Sequence, residues 1–138
     1  DSFMKSPMDA IDIAKTLIEF DSISSKSNEA ITQWIQHHLI SLGFDCEWLP
    51  YYDERGVRKI NLVARRGLGS GGIVYSAHTD VVPVDDWNFP LSGPFEPTVH
   101  DGRLYGRGAC DMKGSLACAL AALEAIDPGQ QQQPITFL

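Results

Sequence analysis

Ile73-Val74-Tyr75-Ser76-Ala77-His78-Thr79-Asp80 is the stretch on which the reading of the fold turns. Its first five residues carry no charge and show no apolar-polar alternation, and Gly71 and Gly72 precede them. Such a run predicts a strand covered on both faces at the middle of a sheet. The three residues that follow put a histidine and an aspartate at the strand's carboxyl end, where open α/β sheets gather their sites. Residues two apart in extended chain point the same way, so His78 and Asp80 can project together, one to bind and one to support it.

Upstream, Ser6-Pro7-Met8-Asp9 supplies an N-cap, a proline at the first helical position and an acid in the first turn. Ile11, Ala14, Leu17 and Ile18 then recur at helical spacing, which predicts a helix over residues 7–20. After the capping-rich linker at residues 22–27, Ile31, Trp34, Ile35, His38, Leu39 and Leu42 mark one face of a second helix, and Gly43 stops it. His38 on that face reads as a partly buried imidazole, and His37 beside it as exposed, so the two cannot share a metal. Phe44, Cys46 and Trp48 alternate with Asp45 and Glu47, and Ile60, Leu62 and Ala64 alternate with Lys59, Asn61 and Arg65. Two half-buried strands paired as a hairpin across a turn at residues 51–56 are expected.

Downstream, residues 81–103 carry four prolines with Trp87, Phe89 and Phe95, the composition of a packed functional loop. His100-Asp101-Gly102-Arg103 reads as a tight turn between two short strands, with His100 exposed. Leu116, Ala119, Leu120 and Leu123 predict a helix over residues 113–126, apolar on nearly every side and buried against a sheet. Asp127-Pro128-Gly129 stops it, and Pro134-Ile135-Thr136-Phe137-Leu138 opens another strand. A chain that halts inside a strand signal reads as a fragment of a longer one.

Composition narrows the function. With 138 residues, 43% of them hydrophobic, the chain can bury one core. A net charge of −7 repels a phosphate backbone, and only Arg65-Arg66 forms a basic pair, which argues against nucleic acid. No apolar run approaches the roughly 20 residues of a membrane helix, and the N-terminus lacks a secretory pattern, so a cytoplasmic protein is expected. Three cysteines without paired spacing argue against a disulfide scaffold. Cys46 and Cys118 read as small core residues, and Cys110 as pointing away from its neighbour Asp111.

The second chemical stretch is Gly106-Arg107-Gly108-Ala109-Cys110-Asp111-Met112-Lys113-Gly114. It sets a carboxylate among glycines at the threshold of an apolar helix, whose N-terminus favours negative charge. A glycine-rich turn before a helix could equally cradle phosphate, yet neither G-x-G-x-x-G nor the Walker pattern is present. Ser115 has no histidine and acid arranged for a nucleophile, and Arg107 and Lys113 could neutralise nearby carboxylates. Together with His78 and Asp80 the stretch reads as half of a metal site: a neutral imidazole suits zinc, a carboxylate behind it can fix its tautomer, and the two oxygens of Asp111 could bridge two ions.

The ordered set Ser76-Ala77-His78-Thr79-Asp80-Val81-Val82-Pro83, Trp87, Pro94-Phe95, Asp101-Gly102-Arg103-Leu104-Tyr105-Gly106-Arg107-Gly108 and Asp111-Met112-Lys113-Gly114 resembles the M20 family of metallopeptidases and deacylases. Ser27-Asn28-Glu29 and Lys59-Ile60-Asn61-Leu62 look most like the acetylornithine deacetylases within it. The resemblance implies an α/β fold: a three-layer α/β/α catalytic domain with a mixed sheet, of which residues 1–138 are the N-terminal part. The rest of that domain and a dimerisation domain would lie elsewhere.

It further implies a two-zinc amidohydrolase, with cobalt as a possible substitute, acting on a small N-acyl amino acid such as N-acetylornithine. A succinyl-diaminopimelate desuccinylase, a carboxypeptidase, and a non-catalytic binding or assembly domain that keeps the fold remain alternatives. His78 would bind one zinc, Asp80 would orient His78 as a catalytic residue, and Asp111 would bridge both ions, followed by a cis peptide at Asp111-Met112. The full-length parent would be a homodimer, and the general base and remaining ligands would come from beyond Leu138. These residues alone are therefore expected to bind zinc weakly and not to hydrolyse.

Overall fold

The computed structural model describes residues 8–138. Helix α1 (Ala10–Glu19) starts at Asp9, whose carboxylate accepts from the Asp12 amide at 2.8 Å. Asp9 is thus the cap and not a first-turn acid; the expected roles of Ser6 and Pro7 fall outside the described residues. Helix α2 (Glu29–Ser41) ends in two linked turns. The Gly43 amide donates to Ile40 O and the Phe44 amide to Leu39 O, both at 3.0 Å, with Gly43 at φ 84°.

Strands β1 (Asp45–Tyr52) and β2 (Arg58–Arg66) form the expected hairpin, with Cys46 opposite Ala64 and Trp48 opposite Leu62. β1 runs on through Tyr51 and Tyr52, so the turn is shorter than its sequence suggests. Asp53 closes it by accepting from the Arg55 and Val57 amides at 2.9 Å. Lys59 breaks the polar alternation of β2: it is only 8% exposed, because its ammonium donates to Ser24 O at 2.8 Å and to Lys26 O.

β3 (Ile73–Tyr75) departs most from expectation. In the mixed sheet the order is β1-β2-β6-β3, with β6 (Ile135–Phe137) antiparallel to β2 and parallel to β3. The inner strands are β2 and β6; β3 is an edge among the described residues, and Ile73 and Val74 are 65% and 61% exposed. An unbroken apolar run reports that a strand is to be covered, yet here only Tyr75 packs on the core, with its ring centre 4.8 Å from that of Phe137, while Ile73 and Val74 lie open among the described residues.

Strands β4 (Thr98–His100) and β5 (Arg103–Tyr105) form a separate hairpin closed at Asp101 and Gly102. Residues 81–97 pack on it as expected. Phe89 stacks on Tyr105 at 4.2 Å between ring centres, and Trp87 donates from Nε1 to Ser92 O at 2.8 Å.

Helix α3 (Gly114–Ala125) connects this region to β6, the crossover that a parallel strand pair requires. Leu116, Ala117, Leu120 and Leu123 join Ile13, Leu17, Ile35, Leu39, Ala64 and Phe137 in one buried cluster to which all three helices contribute. α3 is not buried all round. Ser115, Cys118, Ala122 and Ala125 form an exposed stripe, so Cys118 is a surface thiol and not a core residue; Cys46 is partly buried and all three cysteines are free. The chain is thus an α/β mixed sheet with flanking helices. No helix among the described residues is long and apolar enough to cross a membrane.

Candidate metal centre

His78 lies three residues past the end of β3, in a loop held to the sheet by Ala77 donating to Leu138 O at 3.0 Å. Asp111 lies three residues before α3, in a widened turn (Ala109–Lys113) closed by the Lys113 amide on Gly108 O at 2.8 Å. Because β3, α3 and β6 form one crossover unit, the carboxyl end of β3 and the N-terminus of α3 face the same hollow. Its volume is about 430 Å³, and His78, Asp80, Arg107, Cys110 and Asp111 line it. A second groove of about 700 Å³ shares His78 and Asp80 and continues past Asn28, Lys59, Thr79 and Leu116.

Gly108 shows why the turn is rich in glycine. Its φ is 84°, and a Cβ there would stand 2.7 Å from Val81 Cγ1 and 3.1 Å from Lys113 Cδ. At Gly114 the constraint is space alone, since a Cβ would lie 2.3 Å from Ala109 O. The Asp111-Met112 peptide is cis.

The three carboxylate and imidazole groups named from sequence come together. His78 Nε2 is 3.0 Å from Asp111 Oδ1. His78 Nδ1 is 3.0 Å from the Asp80 carbonyl oxygen and 3.3 Å from Asp80 Oδ1. Every partner of the ring is an acceptor, and a neutral imidazole carries one proton. If Nδ1-H donates to Asp80, the Nε2 lone pair faces a carboxylate lone pair, and the pair becomes favourable with a cation or a second ring proton between them. Two ligand atoms on one tetrahedral zinc stand roughly 3.3 Å apart for bonds of about 2.0 Å. The donor set and its spacing therefore fit such an ion. The side chains of His78 and Asp111 are 47% and 85% exposed, so the site opens to solvent.

The other histidines stay apart from it. His38 pairs with Glu124 at 3.1 Å between α2 and α3, and His100 sits beside Asp101 at 3.3 Å on the β4-β5 turn. Among the described residues no group of three or more His, Cys, Asp or Glu could hold a metal ion. Cys110 is exposed and lies on the wall of the same hollow as its neighbour Asp111.

Arg107 neutralises a carboxylate as expected, pairing with Asp86 at 3.0 Å, but Lys113 behaves otherwise. It is fully buried and donates to Phe20 O at 2.8 Å. Burial pushes its ammonium down to about 8, a shift the Asp21 carboxylate partly opposes. Sequence reasoning missed this residue, although a signal was there: Lys113 shares a helical face with the buried Leu116, Ala117 and Leu120. Ser22, in the capping-rich linker, is likewise buried at 2% exposure, which its local sequence does not signal.

Residues 74–138 match the model of peptidase family M20/M25/M40. The chain is 39% identical over 134 residues to the acetylornithine deacetylase of Proteus mirabilis (strain HI4320), covering 93% of this chain and 34% of that protein. Human carnosine dipeptidase 1 superposes with a TM-score of 0.76 at 24% identity, over 93% of this chain and 30% of that one. An M20 family metallo-carboxypeptidase from Sulfolobus solfataricus does so with 0.70 at 22% identity, over 94% and 30%. The chain thus spans about a third of the length of each relative. The match to peptidase family M20/M25/M40 over residues 74–138 contains both the His78 loop and the Asp111 loop.

Proposed function

We propose that this chain is the N-terminal part of the catalytic domain of a zinc-dependent amidohydrolase that deacylates an N-acyl amino acid, with N-acetylornithine the first substrate to test. One observation carries the metal reading: His78 Nε2 and Asp111 Oδ1 converge to 3.0 Å with Asp80 on the far side of the ring. The substrate reading is supported by the 39% identity to an acetylornithine deacetylase. His78 is assigned as a ligand of one zinc, with Asp80 holding the Nδ1 proton so that Nε2 presents its lone pair. Asp111 is assigned as the bridge between two ions, its exposure leaving the carboxylate accessible from two sides. Zinc, when bound there, supplies Lewis acidity toward the scissile carbonyl and toward water.

Two direct ligands leave most of the roughly four positions per zinc unfilled. The remaining ligands and the general base are therefore assigned to segments outside these residues, a reading supported by the one-third coverage of the relatives. We assign the whole enzyme to the cytoplasm, as a homodimer. The isolated 138-residue chain should bind zinc weakly and leave substrate intact.

The test is turnover by the full-length protein of N-acetylornithine, succinyl-diaminopimelate and a glutamate-terminated peptide, with zinc counted per chain. Deacetylation of the first with two zinc ions is expected, as is loss of activity in Asp111→Ala. Wild-type turnover by that variant overturns the site, and a folded full-length protein with no zinc and no hydrolysis favours a binding module. Deacylation by the isolated chain overturns the division of labour.

A further inference from the structure

The candidate ligands sit on two loops that belong to no ladder where His78 and Asp111 occur, yet their side chains meet at 3.0 Å. Both loops are fastened to the same five residues, the linker 20–24 between α1 and α2. From the His78 loop, the Ser22 hydroxyl donates to Thr79 O at 2.6 Å and the Val81 amide to Ser22 O at 3.0 Å. Ser24 returns an amide bond to Val81 O at 2.9 Å, and Ile23 and Val81 bridge as parallel chain.

From the Asp111 turn, the Lys113 ammonium donates to Phe20 O at 2.8 Å and lies 5.8 Å from the centre of the Phe95 ring. Phe20 is the C-cap of α1, a helix with no basic residue in its last turn. Lys113 therefore brings to that negative helix end, from a distant part of the chain, the cation its own sequence lacks. The two fastenings flank Gly108, where a Cβ would stand 2.7 Å from Val81 Cγ1 and 3.1 Å from Lys113 Cδ.

We infer that the linker 20–24 is the common mount of the metal centre, and that Ser22 and Lys113 are positioning residues that set the distance between His78 and Asp111. The inference rests on the metal reading proposed above. A buried ammonium is a costly way to fill space, and an apolar side chain of the same length would fill it without that cost. What the ammonium adds is direction: a charged hydrogen bond at the end of a four-carbon stem fixes where the Asp111 turn stands relative to α1. Ser22, two residues beyond Phe20 in the same linker, fixes the loop that carries His78.

The test uses the full-length protein with Lys113→Met, which keeps the stem and removes the ammonium, and Ser22→Ala. Zinc affinity is measured by competition with a chelator, the absorption spectrum is recorded with cobalt(II) at saturation, and thermal unfolding is followed without metal. Each variant is expected to lose about 10-fold in zinc affinity, as losses behind a metal ligand do, and to show a shifted cobalt spectrum. Lys26→Met, which removes an exposed ion pair to Asp21 on the same linker, is expected to change neither.

Unchanged affinity and spectrum in both variants overturns the inference. Weaker affinity with an unchanged saturated spectrum overturns it too, since that reports a loosened fold and not a moved ligand. Should Lys113→Met fail to fold, Ser22→Ala decides alone. A wild-type protein that takes up neither zinc nor cobalt overturns the metal reading first, so the two failures are told apart by the unmutated protein.

Discussion

At the scale of single residues, the site depends on how one imidazole is held. Asp80 offers His78 Nδ1 two acceptors, its carbonyl at 3.0 Å and its carboxylate at 3.3 Å. Removing the side chain leaves the carbonyl in place, so orientation of the ring is weakened and not abolished. Asp80→Ala in the full-length protein should therefore cost about 10-fold in metal affinity or activity, the low end of the range for such losses. A chelator titration checks it, and a loss above 100-fold would mean that the carboxylate does more than orient. The i, i+2 spacing of His78 and Asp80 made their side chains legible as a pair. The carbonyl was not legible, because main-chain direction after a strand end is set by the loop's other anchors, here Ser22 and Val81.

At the scale of elements, local chemistry explains starts and stops well. α1 begins where Asp9 can satisfy an orphan amide, and α2 ends where Gly43 adopts φ 84°. Asp9→Ala should destabilise the folded chain by about 1 kcal/mol, read as a lower urea midpoint at unchanged slope. A change within error would mean that α1 is held by its buried Ile13, Leu17 and Ile18 alone. The far ends of both helices receive their cations from elsewhere. Arg66 donates to Leu42 O at 2.7 Å beyond α2, as Lys113 does to Phe20 O beyond α1. No windowed reading finds such pairs, since they join residues 24 and 93 positions apart. Asn28 is similar: it exchanges two hydrogen bonds of 2.9 Å with the backbone of Ile60, tying the start of α2 to β2.

At the scale of the molecule, apolar surface exposed among the described residues includes the free edge of β3 with Ile73 and Val74, the stripe of α3 through Cys118 and Ala122, and Leu68 at 97% exposure. A hydrophobic edge strand offers unpaired amides and carbonyls to any other strand. The isolated 138-residue chain should therefore self-associate across the micromolar range, and Val74→Lys should suppress this without altering its circular dichroism. Sedimentation velocity decides the matter; a wild-type chain that stays monomeric at every concentration would show that the edge is protected in some other way.

The sequence by itself determined the helices, the β1-β2 hairpin and the turn at Asp101-Gly102, and it offered His78, Asp80 and Asp111 as candidates for one site. The elements rest on periodicity, capping or spacing within a few residues, and those act locally. Tertiary structure decided that β6 lies inside the sheet and β3 at its edge, that α3 keeps one side open, and that Lys113 is buried against the end of α1. It also brought two loops 33 residues apart to 3.0 Å. These depend on which surfaces meet once the elements pack. A charge or an apolar run states what environment a residue tolerates, and only the packed fold states which neighbour supplies it.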